Sequence, residues 1–163
     1  MPAITRRYVV VPPDGENLCG FDYPQGAETA AVAFGDGTHV VDTAAAPYKP
    51  AVQKVEGGEL LYVGYGSFDR RKGDDANLIE AAKKGYGATV AAFLAKGADP
   101  NAADGNGGTA LIWAVAKGSA EAVRLLLAAG ADPRKADSQG MTAGELAEKK
   151  NRREILDLLA AAR

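Results

Sequence analysis

The chain reads as an α+β protein: a small antiparallel β-module, residues 1–72, packed on a helical repeat stack, residues 73–163. Three observations predict this. Gly97-Ala98-Asp99-Pro100 returns as Gly130-Ala131-Asp132-Pro133, 33 residues later. The same offset joins Gly85 to Gly118, Leu94 to Leu127, Gly107 to Gly140 and Thr109 to Thr142. A fixed period of this length belongs to stacked units, none of which can bury a core alone. The third observation is a change of character: five of the six Tyr and three of the four Phe precede Gly73, in short apolar runs separated by turn residues.

In the first module Tyr8–Val11 reads as a strand closed by Pro12-Pro13-Asp14-Gly15. Thr29–Phe34 and Thr38–Asp42 flank Gly35-Asp36-Gly37, and Asp-Gly supplies the positive φ of a tight reversal, so a hairpin is expected there. Ala51–Val55 and Glu59–Tyr65 flank Glu56-Gly57-Gly58 as a second hairpin. Five short strands suggest a meander, with closure into a small barrel as the alternative. About 70 residues is near the lower limit for an independent core, so this module is expected to lean on the first helices that follow. On Glu59–Tyr65, Leu61, Val63 and Tyr65 share one face and Tyr62 and Gly64 the other.

Asp69 to Lys72 reads as a polar linker, and Asp74 and Asp75 as carboxylates at the start of a helix, where the free N–H groups and the dipole favour them. First helices of the units are expected over Ala76–Lys84, Thr109–Lys117 and Thr142–Lys150. Second helices are expected over Ala88–Lys96, Ala120–Ala129 and Arg152–Ala162. Gly85, Gly118 and Asn151 stand between them, where a left-handed residue ends a helix. Ala81, Ala114 and Ala147 recur in register and let first helices approach closely. Val90, Phe93, Leu94 and their equivalents form the apolar stripes of the second helices. In the last unit Leu111, Ile112 and Val115 become Gly144, Glu145 and Glu148, as suits a terminal unit with a polar outer side.

These residues, Gly107-x-Thr109-Ala110-Leu111, Ala114, Gly118, Leu126-Leu127 and Gly130-Ala131-Asp132, resemble the ankyrin repeat, with Ala110 where the family usually has Pro and Ile112 where it usually has His. The resemblance runs from about Asp74 to Arg163. It implies a protein-binding module whose ligand-facing positions lie on the finger tips and at the ends of first helices. Carried onto this chain, the candidate partner-binding residues are Gly105, Asn106, Ser138, Gln139 and Met141 on the fingers, and Lys83, Lys84, Lys117, Lys149 and Lys150 at the helix ends. Trp113, the only tryptophan, completes the set. A row of lysines favours a protein partner with an acidic surface, while lysine at a helix C-terminus also serves the dipole and solubility. Adaptor, inhibitor and immunity roles all fit such a module.

Formal net charge is −2, with 7 basic and 9 acidic residues before Gly73 and 12 of each from there on, so no global field draws the chain to nucleic acid or an anionic membrane. Cys19 is the only cysteine, and Tyr8–Val11 is too short for a secretory apolar segment; a cytoplasmic monomer or weak dimer without cofactor or metal is expected. The rival reading is an enzyme or small-ligand site in the β-module, with the repeats as a recruiting arm. It requires Cys19, His39 and an Asp such as Asp42 to converge.

Overall fold

The structure is a computed structural model and describes residues 3–45, 50–65 and 73–162. The linker Asp69–Lys72 lies outside the described residues. Five strands form one antiparallel sheet: β1 (Tyr8–Val11), β2 (Cys19–Phe21), β3 (His39–Asp42), β4 (Pro50–Glu56) and β5 (Glu59–Tyr65), in the order β2-β1-β3-β4-β5. The sheet is open, with β2 and β5 at its edges, and β3-β4-β5 run as a meander. Among the described residues one helix, α1 (Pro24–Phe34), belongs to this module. Six more follow in pairs: α2 (Gly73–Lys84) and α3 (Gly87–Ala95), α4 (Ala110–Lys117) and α5 (Ala120–Ala128), α6 (Ala143–Lys149) and α7 (Arg153–Ala161).

Two elements differ from the sequence expectation. Thr29–Phe34 is the second half of α1, not a strand, so the first module is not all-β. Pro24 opens this helix, and Ala27 and Ala31, both wholly buried, face the sheet at i and i+4. Gly26 lets the helix settle on Phe21, whose ring would lie 2.9 Å from a Cβ at that position. The missing strand is β2, formed by Cys19–Phe21, which pairs Cys19 with Val10 and Phe21 with Tyr8. Gly35-Asp36-Gly37 accordingly joins α1 to β3 instead of closing a hairpin. The Asp36 carboxylate accepts from the Gly57 and Gly58 N–H groups, 3.0 Å each, and buckles the tip of the true hairpin β4–β5. These two backbone N–H groups hold its carboxyl below the usual range. Gly57 and Gly58 both have positive φ, as a two-residue reversal requires.

The sheet is buried on both sides at its centre. Val10, Val40 and Val55 pack under Ala27 and Ala31. Val9, Val11, Val41 and Val52 join Val90, Phe93 and Leu126 in a core that runs on through the helical stack to Ile155 and Leu159. Two-sided burial explains why Tyr8–Val11 reads as a continuous apolar run without alternation. The β-module therefore covers the first unit, as expected, and it does so on the second helix: α3 contacts β1 and β3. The N-terminal strap adds a seam, with the Ile4 N–H donating to the Ala95 carbonyl and Lys96 Nζ to the Arg6 carbonyl.

Within the stack, α2, α4 and α6 lie side by side, as do α3, α5 and α7. Ala81, Ala114 and Ala147 are buried at these contacts. Gly85, Gly118 and Asn151 all have positive φ, so Asn does take the glycine role in the last unit. Thr109, Ser119 and Thr142 cap their helices, Thr142 through a reciprocal box with Glu145.

Candidate protein-docking surface

Each unit is joined to the next by an extended finger. The first turns at Asp104–Gly107 and the second at Asp137–Gly140, each closed by a bridge at its base, Ala103 with Thr109 and Ala136 with Thr142. Each aspartate folds its own turn. Asp104 Oδ1 accepts from the Asn106 and Gly108 N–H groups at 3.0 Å, and Asp137 Oδ1 from those of Gln139 and Met141 at 2.9 and 3.0 Å. The fingers are tied side by side by Ser138 N–H donating to the Asn106 carbonyl, 3.0 Å. Gly105, Asn106, Ser138 and Gln139 are exposed at the tips, and Met141 is half-buried.

Lys84, Lys117 and Lys150 stand at the same end of three neighbouring helices and are exposed, as is Lys149. The spacing between rungs is tight. The Lys117 stem crosses the turn of the preceding unit, 3.0 Å from where a Gly85 Cβ would be. The Arg152 guanidinium covers Gly118 in the same way. Arg152 thus extends the cationic edge, a contribution that reading only the ends of the first helices misses.

Lys83 does not belong to that edge. Its ammonium lies 4.6 Å from the centroid of the Trp113 ring, 3.3 Å from Glu80 Oε1 and 3.4 Å from Asp104 Oδ2. The reason is register: the last turn of α2 falls opposite the aromatic face that α4 presents, and a cation over indole is favoured. Trp113 is half-buried, its indole N–H donating to Asp104 Oδ2 at 2.9 Å. The ring lies over Gly108, where a Cβ would fall 2.6 Å from Nε1. Gly108 is consequently buried rather than offered at a finger tip. Burial works to raise the Asp104 carboxyl, but the Asn106 and Gly108 N–H groups, the indole and the Lys83 ammonium together hold it below its ordinary value. Asp104 was legible as a turn residue, since it recurs as Asp137; its hold on Trp113 and Lys83 is tertiary.

The rival site does not assemble. Cys19 pairs with Val10 and His39 with Val11, so the two side chains fall on opposite faces of the sheet. Asp42 is forked onto Arg7 through both oxygens, at 2.8 and 2.7 Å. Burial pushes the Cys19 thiol up. His39 opens on a cleft of about 360 Å³ between the sheet and α3 and α5, where burial and Lys54 push its pKa down while Glu121 opposes them. Among the described residues no group of three or more metal-ligating side chains forms, and no helix is long and apolar enough to cross a membrane.

Comparison with known families finds ankyrin repeats, in three copies, over residues 78–163, just over half of the chain. No curated protein matches it.

Proposed function

The chain belongs to the ankyrin-repeat family, and on that premise we propose that it is a non-enzymatic binding protein, acting as an adaptor, inhibitor or immunity-type module in the cytoplasm. Repeats of this family serve protein–protein interaction in general. The observation that carries the finer reading is the cationic edge of Lys84, Lys117, Lys149, Lys150 and Arg152, at the C-terminal ends of first helices, two of which start from the paired fingers. Such an edge favours a partner with an acidic surface and speeds its arrival. Trp113 supplies a pre-oriented aromatic beside it, held by Asp104 before any partner arrives.

The test is affinity capture with the wild-type chain and with Lys117→Glu/Lys150→Glu. The double variant is expected to keep its melting curve and to lose at least tenfold in affinity for the partner the wild type retains, because two charges change sign. Equal capture by both proteins removes the cationic edge from the reading.

A further inference from the structure

The two edges of the sheet are unlike. Edge strand β2 has three residues, and the strap passes over it so closely that a Cβ on Gly20 would meet Ile4 and Arg6. Edge strand β5 has seven residues, and its outer side pairs with no strand among the described residues. Leu61, Tyr62 and Val63 are 45%, 64% and 52% exposed. Because neighbours on a strand face opposite ways, both faces of this edge are apolar. Neither lysine nor proline interrupts it, although these are the usual means of blunting a free edge.

The pairing of β4 with β5 determines which backbone groups are free. Glu56 and Glu59 flank the two-residue turn and exchange hydrogen bonds, so Glu59 and Leu61 point inward and Leu60 and Tyr62 point outward. The ladder is regular from Glu59 to Tyr62 and shifts register beyond it, around Val63. We propose that β5 pairs antiparallel with β5 of a second copy of this chain, about a twofold axis at Leu61, so that the two sheets become continuous.

The hydrogen bonds of that register fall only on the regular part of the strand. Leu60 and Tyr62 of one copy exchange hydrogen bonds with Tyr62 and Leu60 of the other. Leu61 meets its own copy in a non-hydrogen-bonded pair, where side chains approach most closely. Charge agrees with it. Glu59 is the only ionisable residue of β5 besides its two tyrosines, and the twofold axis carries the two carboxylates to opposite ends. Each Glu59 then stands opposite Val63 of the other copy. Val63 lines one depression with Tyr86, Gly85 and Glu121, and the Lys117 stem lies on Gly85, so the carboxylate arrives at an edge that carries both signs of charge, away from its own counterpart. A second copy offers the same regular stretch of strand and keeps the two carboxylates apart.

Light scattering of the whole chain is expected to give twice the mass of one chain, and Tyr62→Lys the mass of one chain with an unchanged circular dichroism spectrum. In a Cys19→Ser background, Leu61→Cys is expected to form a disulfide-linked dimer under mild oxidation, since the paired Cα atoms would be about 4.5 Å apart. Glu59→Cys, whose two copies would be four strand positions apart, is expected not to. A one-chain mass at every concentration overturns the proposal. So does a dimer that survives Tyr62→Lys, or cross-linking of Glu59→Cys as ready as that of Leu61→Cys. If Tyr62→Lys fails to fold, the two cysteine variants decide the matter alone.

Discussion

The two fingers share a sequence pattern and a backbone, yet they are held differently. Asp104 and Asp137 accept the same pair of backbone N–H groups, and Gly107 and Gly140 have φ of +73° and +77°. Beyond that the likeness ends. Asp104 also takes the indole N–H of Trp113 and the ammonium of Lys83, whereas Asp137 meets neither, because one unit on Leu146 stands in the place of Trp113 and Ala116 in that of Lys83. A Cβ on Gly107 would lie 2.9 Å from the backbone N of Ser138, while one on Gly140 would meet open space. The inner finger is clamped from two sides, whereas the outer one has its own turn and the single tie from Ser138 to Asn106. In a stack of near-identical units, position along the array decides how rigid each copy of the pattern is.

The largest test of this difference is Gly107→Ala against Gly140→Ala. Both place an L-residue at positive φ, which costs about 1 kcal/mol. Gly107→Ala must also displace the neighbouring finger, for a total of roughly 3 kcal/mol. Urea melts that give equal losses would show that the fingers are equally free. Next comes Asp104→Ala against Asp137→Ala. Asp104, with its side chain 18% exposed, loses a charge-assisted network and is expected to cost about 2 kcal/mol, Asp137 about 1 kcal/mol. Chemical denaturation of the pair measures the gap.

The smallest effect is on pH dependence. The Asp104 carboxyl is held below its ordinary value of 3.8 in the folded chain. The stability it contributes is therefore complete above that ordinary value and is lost as pH falls through the lowered one. Trp113 is the sole tryptophan, so its fluorescence reports this cluster alone. The emission is expected to shift in acid at a pH below 3.8, and Asp104→Asn to abolish that shift. A shift centred on the ordinary value would mean that the hydrogen bonds to Asp104 are not made in solution.

The helical half was readable because each unit repeats its own instructions. Thr109 and Thr142 announce helix starts, Gly118 and Asn151 announce ends, and the observed helices fall within a few residues of those marks. The β-module carries no such internal check. Asp36-Gly37 carries the same signal whether it joins two strands or a helix to a strand, and Ala27, Ala30 and Ala31 at helical spacing was the cue that favoured the latter. The exposed lysines were placed by register alone. Lys83 was not, since its capture depends on an indole thirty residues away in sequence.

By itself, the sequence determined the helical units, their caps, their order and the polar character of the last one, because these depend on local conformational preference and on a period that every unit repeats. Only the tertiary structure decided that Thr29–Phe34 would be helix, that β5 would be left as a long apolar edge, and that Asp104 would bind Trp113 and Lys83. Each of those outcomes depends on which surfaces remain uncovered once the sheet has packed on α3, and contacts between distant segments leave no periodic trace along a single chain.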